Sequence, residues 1–136
     1  MGAWSHEPFG NDAASDWKYG LLEAEDLEPI ESTLDAVLEV GDDYLDADLA
    51  SEAIAAVEVL AKLVGKGTQR DSYTAEVDQW VKQHPRRPNA SLMTKAKRAL
   101  QRIQSPDSEL LELWDESEEA TAWKATMQAL AAATSV

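Results

Sequence analysis

The sequence predicts an all-α protein, a single-domain bundle of about six or seven short helices behind an irregular N-terminal arm. Three observations lead to that reading. Between frequent Gly, Pro and Asn marks, apolar residues recur every three or four positions, the period of a helix with one buried side. Strand signals are nearly absent: β-branched residues are sparse, and no alternating run adjoins an Asn-Gly turn. The 136 residues make one ordinary domain, read as 1–136. A chain of this length buries roughly two-thirds of its unfolded surface without a metal or a disulfide.

The arm holds Trp4, Pro8 and Phe9 and leads to Asn11, a good N-cap. The helix behind it carries Asp12 and Asp16 in its first turns, where carboxylates favour the positive end of the dipole, and fades near Ala24. Pro29 fits the first position of a second helix, with Ile30, Leu34, Val37 and Leu38 as its apolar stripe and Gly41 as its stop. An acidic connector, residues 42–48, supplies N-caps for the longest helix. There Leu49, Ala53, Ala56, Val57, Leu60 and Val64 recur at helical spacing, and Gly65 and Gly67 end the run. Ser72 opens a shorter helix with Val77, Trp80 and Val81 on one side. His84-Pro-Arg-Arg-Pro closes it, because each residue before a proline is pushed out of helical geometry. Asn89 or Ser91 caps the next helix, whose Leu92, Met93, Ala96, Leu100 and Ile103 face inward. Pro106 and Asp107 start a helix bearing Leu110, Leu111, Leu113 and Trp114, and a last one carries Trp123, Met127, Leu130 and Ala131. The polar residues 116–119 suggest a break between those two. Helical spacing marks Trp80, Trp114 and Trp123 as core, and Trp4 with Phe9 as a staple over the first helix.

Charge carries the functional reading. Twenty-six acids against twelve Lys and Arg give a net charge of −14. The excess is uneven: residues 1–61 carry −15, residues 62–104 carry +7 and residues 105–136 carry −6. Such a field repels nucleic acid and anionic membrane and attracts cationic partners. There is no cysteine, which removes thiol catalysis and thiolate metal sites. The opening residues lack the basic and apolar regions of a secretory signal, and Gly2 is followed at position six by His6 where a myristoylation motif wants Ser or Thr. The most apolar stretch, residues 53–64, is interrupted by Glu58 and Lys62 and is too short to span a bilayer. The expected location is the cytoplasm.

Catalytic constellations are sparse. Asp42, Asp43, Asp46 and Asp48 carry enough oxygens for Ca²⁺ or Mg²⁺, but an EF-hand counted from Asp42 would need Gly and Glu where Ala47 and Ala53 stand. Asp12 and Asp16 are paired on one helix face with no His or nucleophile beside them. His6 and His84 lie far apart, and Gly65-Lys-Gly-Thr lacks the full phosphate-loop order. The basic group Arg86, Arg87, Lys95, Lys97, Arg98 and Arg102 suits a phosphate backbone, yet docking on the surrounding acids accounts for it better. No catalytic residue, cofactor or metal site is therefore assigned.

Gly2-x-Trp4, Phe9-x-Asn11-Asp12, Ala14 and Asp16-Trp17 resemble the opening signature of a bacterial family of unknown function, number 4259. The likeness continues through Tyr44-Leu-Asp-Ala-Asp, residues 53–58 and Ser108-Glu-Leu-Leu-Glu-Leu-Trp114; Ser5-His-Glu departs from it, where a Gly is expected nearer Pro8. The resemblance implies a small bacterial helical protein with no established catalytic role.

These readings converge on a non-enzymatic acidic binding protein: an immunity protein that neutralises a basic bacterial toxin domain, expected to be a nuclease, by occupying its cationic surface. The expected contacts are Glu31, Asp35, Glu39, Asp42, Asp43, Asp46, Asp48 and Glu52. The partner is a basic protein, with no nucleic acid and no membrane involved. The alternatives are a metal-dependent hydrolase using Asp12 and Asp16 or the Asp42–Asp48 carboxylates, and a self-associating regulatory or scaffold protein.

Overall fold

The computed structural model describes residues 5–135. Its elements are α1 (Asp12–Leu22), α2 (Glu28–Glu39), α3 (Ala47–Leu63), α4 (Ala75–Gln83), α5 (Ala90–Ile103), α6 (Glu109–Asp115) and α7 (Ala120–Ala133). The bundle is built around α3, against which each of the other six helices packs. Sequence spacing predicts one apolar stripe on α3, but every residue from Ala53 to Lys62 is buried. Ala50, Ala53, Ala55, Ala56 and Ala61 have no measurable exposure, and their small side chains let neighbouring helices come close on several sides.

Local chemistry sets the ends. Asn11 caps α1 by accepting from the Ala14 N–H at 2.8 Å, and Asp46 caps α3 by accepting from Asp48 and Leu49 at 3.0 and 3.2 Å. Gly41 and Gly65, at φ +62° and +77°, take the left-handed conformation that ends α2 and α3. At Gly65 the Lys66 N–H reaches the Ala61 carbonyl at 2.8 Å and the Gly65 N–H reaches that of Lys62 at 3.0 Å. Residues 116–119 separate α6 from α7, and the rings of Trp114 and Trp123 stack across the junction with centroids 6.1 Å apart.

Two starts come three residues later than the sequence suggests. The helix expected from Ser72 begins at Ala75, because Asp71 and Thr74 close a turn first: the Asp71 N–H donates to Thr74 Oγ1 at 3.1 Å and the Tyr73 N–H to Asp71 Oδ1 at 2.9 Å. The helix expected from Pro106 begins at Glu109. Asp107 sits at φ +65°, and the backbone on either side of Ser108 is spent on Leu45: the Leu45 N–H donates to the Asp107 carbonyl at 2.8 Å, and the Glu109 N–H to the Leu45 carbonyl at 3.0 Å.

Trp80, Trp114 and Trp123 are buried, as their spacing implies; Phe9 is buried too, and Trp17 is half-buried with its indole N–H on Thr33 Oγ1 at 2.8 Å. Trp4, the other half of the expected staple, and Gly2 lie outside the described residues.

A charged network lies under the loop that follows α3. Glu58 has no exposed surface and accepts from the Thr68 N–H, the Thr68 hydroxyl and the Gln69 N–H at 2.7–3.1 Å. Lys62, one turn on, lies 3.6 Å from Glu58 and 2.7 Å from Asp78 and also donates to the Gln69 carbonyl. A Cβ at Gly67 would come within 2.6 Å of Lys62 Cγ, so the loop closes over the network only with glycine there. Gln69 Oε1 in turn accepts from the Phe9 N–H at 2.8 Å and ties the arm to the same knot.

Candidate protein-binding face

The α2–α3 connector and the segment before α6 meet through the Leu45–Ser108 pairing, which brings two acidic stretches of the sequence together. Arg102 of α5 ties the junction together. Its guanidinium donates to the carbonyls of Gly41 at 2.9 Å, Asp43 at 2.6 Å and Asp107 at 3.3 Å. The charge is thus spent on backbone oxygens rather than on a carboxylate.

Above this clamp, Asp42, Asp43, Asp46, Asp48 and Glu52 from one stretch stand with Asp107, Glu109 and Glu112 from the other. None of the eight is in an ion pair among the described residues. Glu109 accepts from the Ala47 N–H and Glu112 from the Tyr44 hydroxyl, each at 2.9 Å. That bond, with burial and the charges of Glu112, Glu109 and Asp107 behind it, pushes the Tyr44 phenol up to about 12. Burial, then the like charges of Asp48 and Asp46, raises the Glu52 pKa above the ordinary carboxylate value. Neighbouring negative charge adds to both shifts behind those larger causes.

Of the eight contacts expected from sequence, Glu39, Asp42, Asp43, Asp46 and Asp48 are exposed and Glu52 is half-buried. Glu31 and Asp35 differ: both lie 2.8 Å from Lys95 on α5. The hydrogen bonds that the Lys95 ammonium donates to Asp35 and then to Glu31 hold its pKa above the ordinary value. They form the partly neutralised margin of the face. Asp107, Glu109 and Glu112 were not expected; no periodicity or motif links them to a connector some sixty positions earlier.

The proposed internal match between the basic middle and the acidic ends is limited. Among the described residues, six of the 26 carboxylates take part in ion pairs, with Lys18, Lys62, Lys95 and Lys124. Arg86 donates to the Glu25 carbonyl at 2.7 Å, and Arg87, Lys97 and Arg98 are in no ion pair among the described residues. Asp12 and Asp16 are exposed on α1. Among the described residues no group of three or more His, Asp or Glu side chains is arranged to hold a metal ion, and no helix is long and apolar enough to cross a membrane.

The model of one protein family matches residues 2–126, nearly the whole chain; its description is domain of unknown function (DUF4259). No curated protein and no solved structure matches the chain.

Proposed function

The chain belongs to the DUF4259 family, and from the surface of this member we propose a non-enzymatic acidic binding protein, an immunity protein that neutralises a basic bacterial toxin domain. The toxin is taken to be a nuclease, whose cationic groove the acidic face would occupy in place of phosphates. One observation carries the reading: eight carboxylates that are in no ion pair among the described residues, drawn from two distant stretches, share a face held by the Arg102 clamp.

Burial first, and then the like charges of Asp48 and Asp46, raise the Glu52 pKa, and a cation from a partner would offset the like-charge part. Long-range attraction from such a face lifts association to about 10⁸–10⁹ M⁻¹ s⁻¹ at low salt. A standard interface needs roughly 800 Å² per partner, a small share of the 6932 Å² that the molecule exposes.

The test is titration with candidate basic nuclease domains, chosen from genes neighbouring this one, at two salt concentrations. Affinity is expected to fall steeply with salt, and Asp42→Asn, Asp43→Asn and Asp48→Asn together to slow association by about tenfold or more with little change in dissociation. Salt-indifferent affinity, or a triple variant that binds as fast as the parent, rejects electrostatic capture.

A further inference from the structure

Among the described residues three large apolar side chains stand exposed, Tyr19, Tyr44 and Tyr73, and Tyr44 is the one within the acidic connector. More than half of it, 55%, is open to solvent. A single exposed tyrosine ordinarily needs no explanation. This one is fastened at three points. Its neighbour Asp43 gives its carbonyl to Arg102 at 2.6 Å, and its other neighbour, the fully buried Leu45, is paired with the backbone of Asp107 and Glu109. The hydroxyl donates to Glu112 at 2.9 Å. The ring is thus ordered before any partner arrives, which removes a cost that binding normally carries.

The same ring is prepared for a cation. Its phenol, with a pKa pushed up to about 12 first by the Glu112 bond, stays protonated and neutral around pH 7. Donation to a carboxylate polarises the phenol and leaves the ring face richer in electrons. Tyr19 on α1 already has a cation of its own, Lys18 Nζ at 5.3 Å from the ring centroid. At Tyr44 no such contact exists among the described residues.

Arginine and lysine differ in how they use a ring beside a carboxylate. A guanidinium is planar and weakly hydrated, so it stacks on the ring while the N–H groups in its plane still reach the carboxylate. An ammonium is compact and strongly hydrated, and it gives up much of one contact to make the other. We propose that Tyr44 and Glu112 anchor an arginine side chain on the acidic face, so that the cationic partner is recognised by arginine in preference to lysine. This inference rests on the capture reading above and adds the side chain that the face selects.

The test titrates the full chain with oligo-arginine and oligo-lysine peptides of equal length at about 0.1 M salt. The parent is expected to bind both, and oligo-arginine several-fold more tightly. Tyr44→Leu should cut the arginine affinity by about threefold and leave the lysine affinity nearly unchanged, while Tyr44→Phe, which keeps the ring, should retain most of the preference. In NMR spectra the Tyr44 ring resonances should move with oligo-arginine more than with oligo-lysine. No binding of either peptide overturns electrostatic capture and this inference with it. Equal binding of the two by the parent overturns this inference and leaves capture standing. So does a preference that survives Tyr44→Leu, or a Tyr44→Phe variant that loses as much as Tyr44→Leu.

Discussion

Glu58 and Lys62 stand in the most apolar stretch of the sequence, where they read as the polar interruptions of a surface helix. Their i, i+4 spacing makes the pair legible; its burial is not, because burial depends on the loop after α3 folding back over them. Removing one partner from such a pair strands the other charge. Glu58→Ala should cost about 3–5 kcal/mol in urea unfolding, while Glu58→Leu with Lys62→Leu should recover a good part of that loss. Equal losses for the single and double variants would mean that the network's value lies in fastening the loop rather than in balancing charge. Glu52 has the opposite bias. Its folded pKa is raised, so between its unfolded and folded values the native state holds a proton that the unfolded chain has released. Stability from this group therefore grows as pH falls through that window and is lost as pH rises past the folded value. Glu52→Gln should raise Tm slightly at pH 7, and the gain should vanish below about pH 4, where both states are protonated. A gain that persists in acid would point to packing instead of charge.

At the scale of elements, all seven helices were visible as periodic apolar segments, and the stop signals at Gly41, Gly65 and the prolines after His84 act where expected. The starts were less legible. Residues 71–74 and 105–108 contain good helix-opening chemistry, but their polar groups close turns and pair with a distant connector first. For α5 the sequence offered two caps, and the structure selects Asn89, which accepts from the Leu92 N–H at 2.8 Å; Ser91 is exposed inside the first turn. Asn89→Ala should cost about 1 kcal/mol and Ser91→Ala less than about 0.5 kcal/mol by thermal unfolding. The reverse order would assign the cap wrongly. The central helix was under-read for another reason: spacing reports a helix with one buried side, and α3 has neighbours all round.

For the whole molecule, the uneven charge was plain in the sequence, and five of the eight carboxylates on the acidic face were already candidates there. The other three came from the C-terminal acidic segment, and only the fold could add them. Tertiary pairing, not composition, decides which acids stand side by side, just as it withdraws Glu31 and Asp35 to Lys95. The Leu45–Ser108 pairing also has a temporal side. A ribosome releases the connector long before the segment that completes the face, so a nascent chain offers any binder only half a grip. Short peptides copied from either stretch would be poor decoys, and a binder of the finished surface would double as a sensor of correct folding.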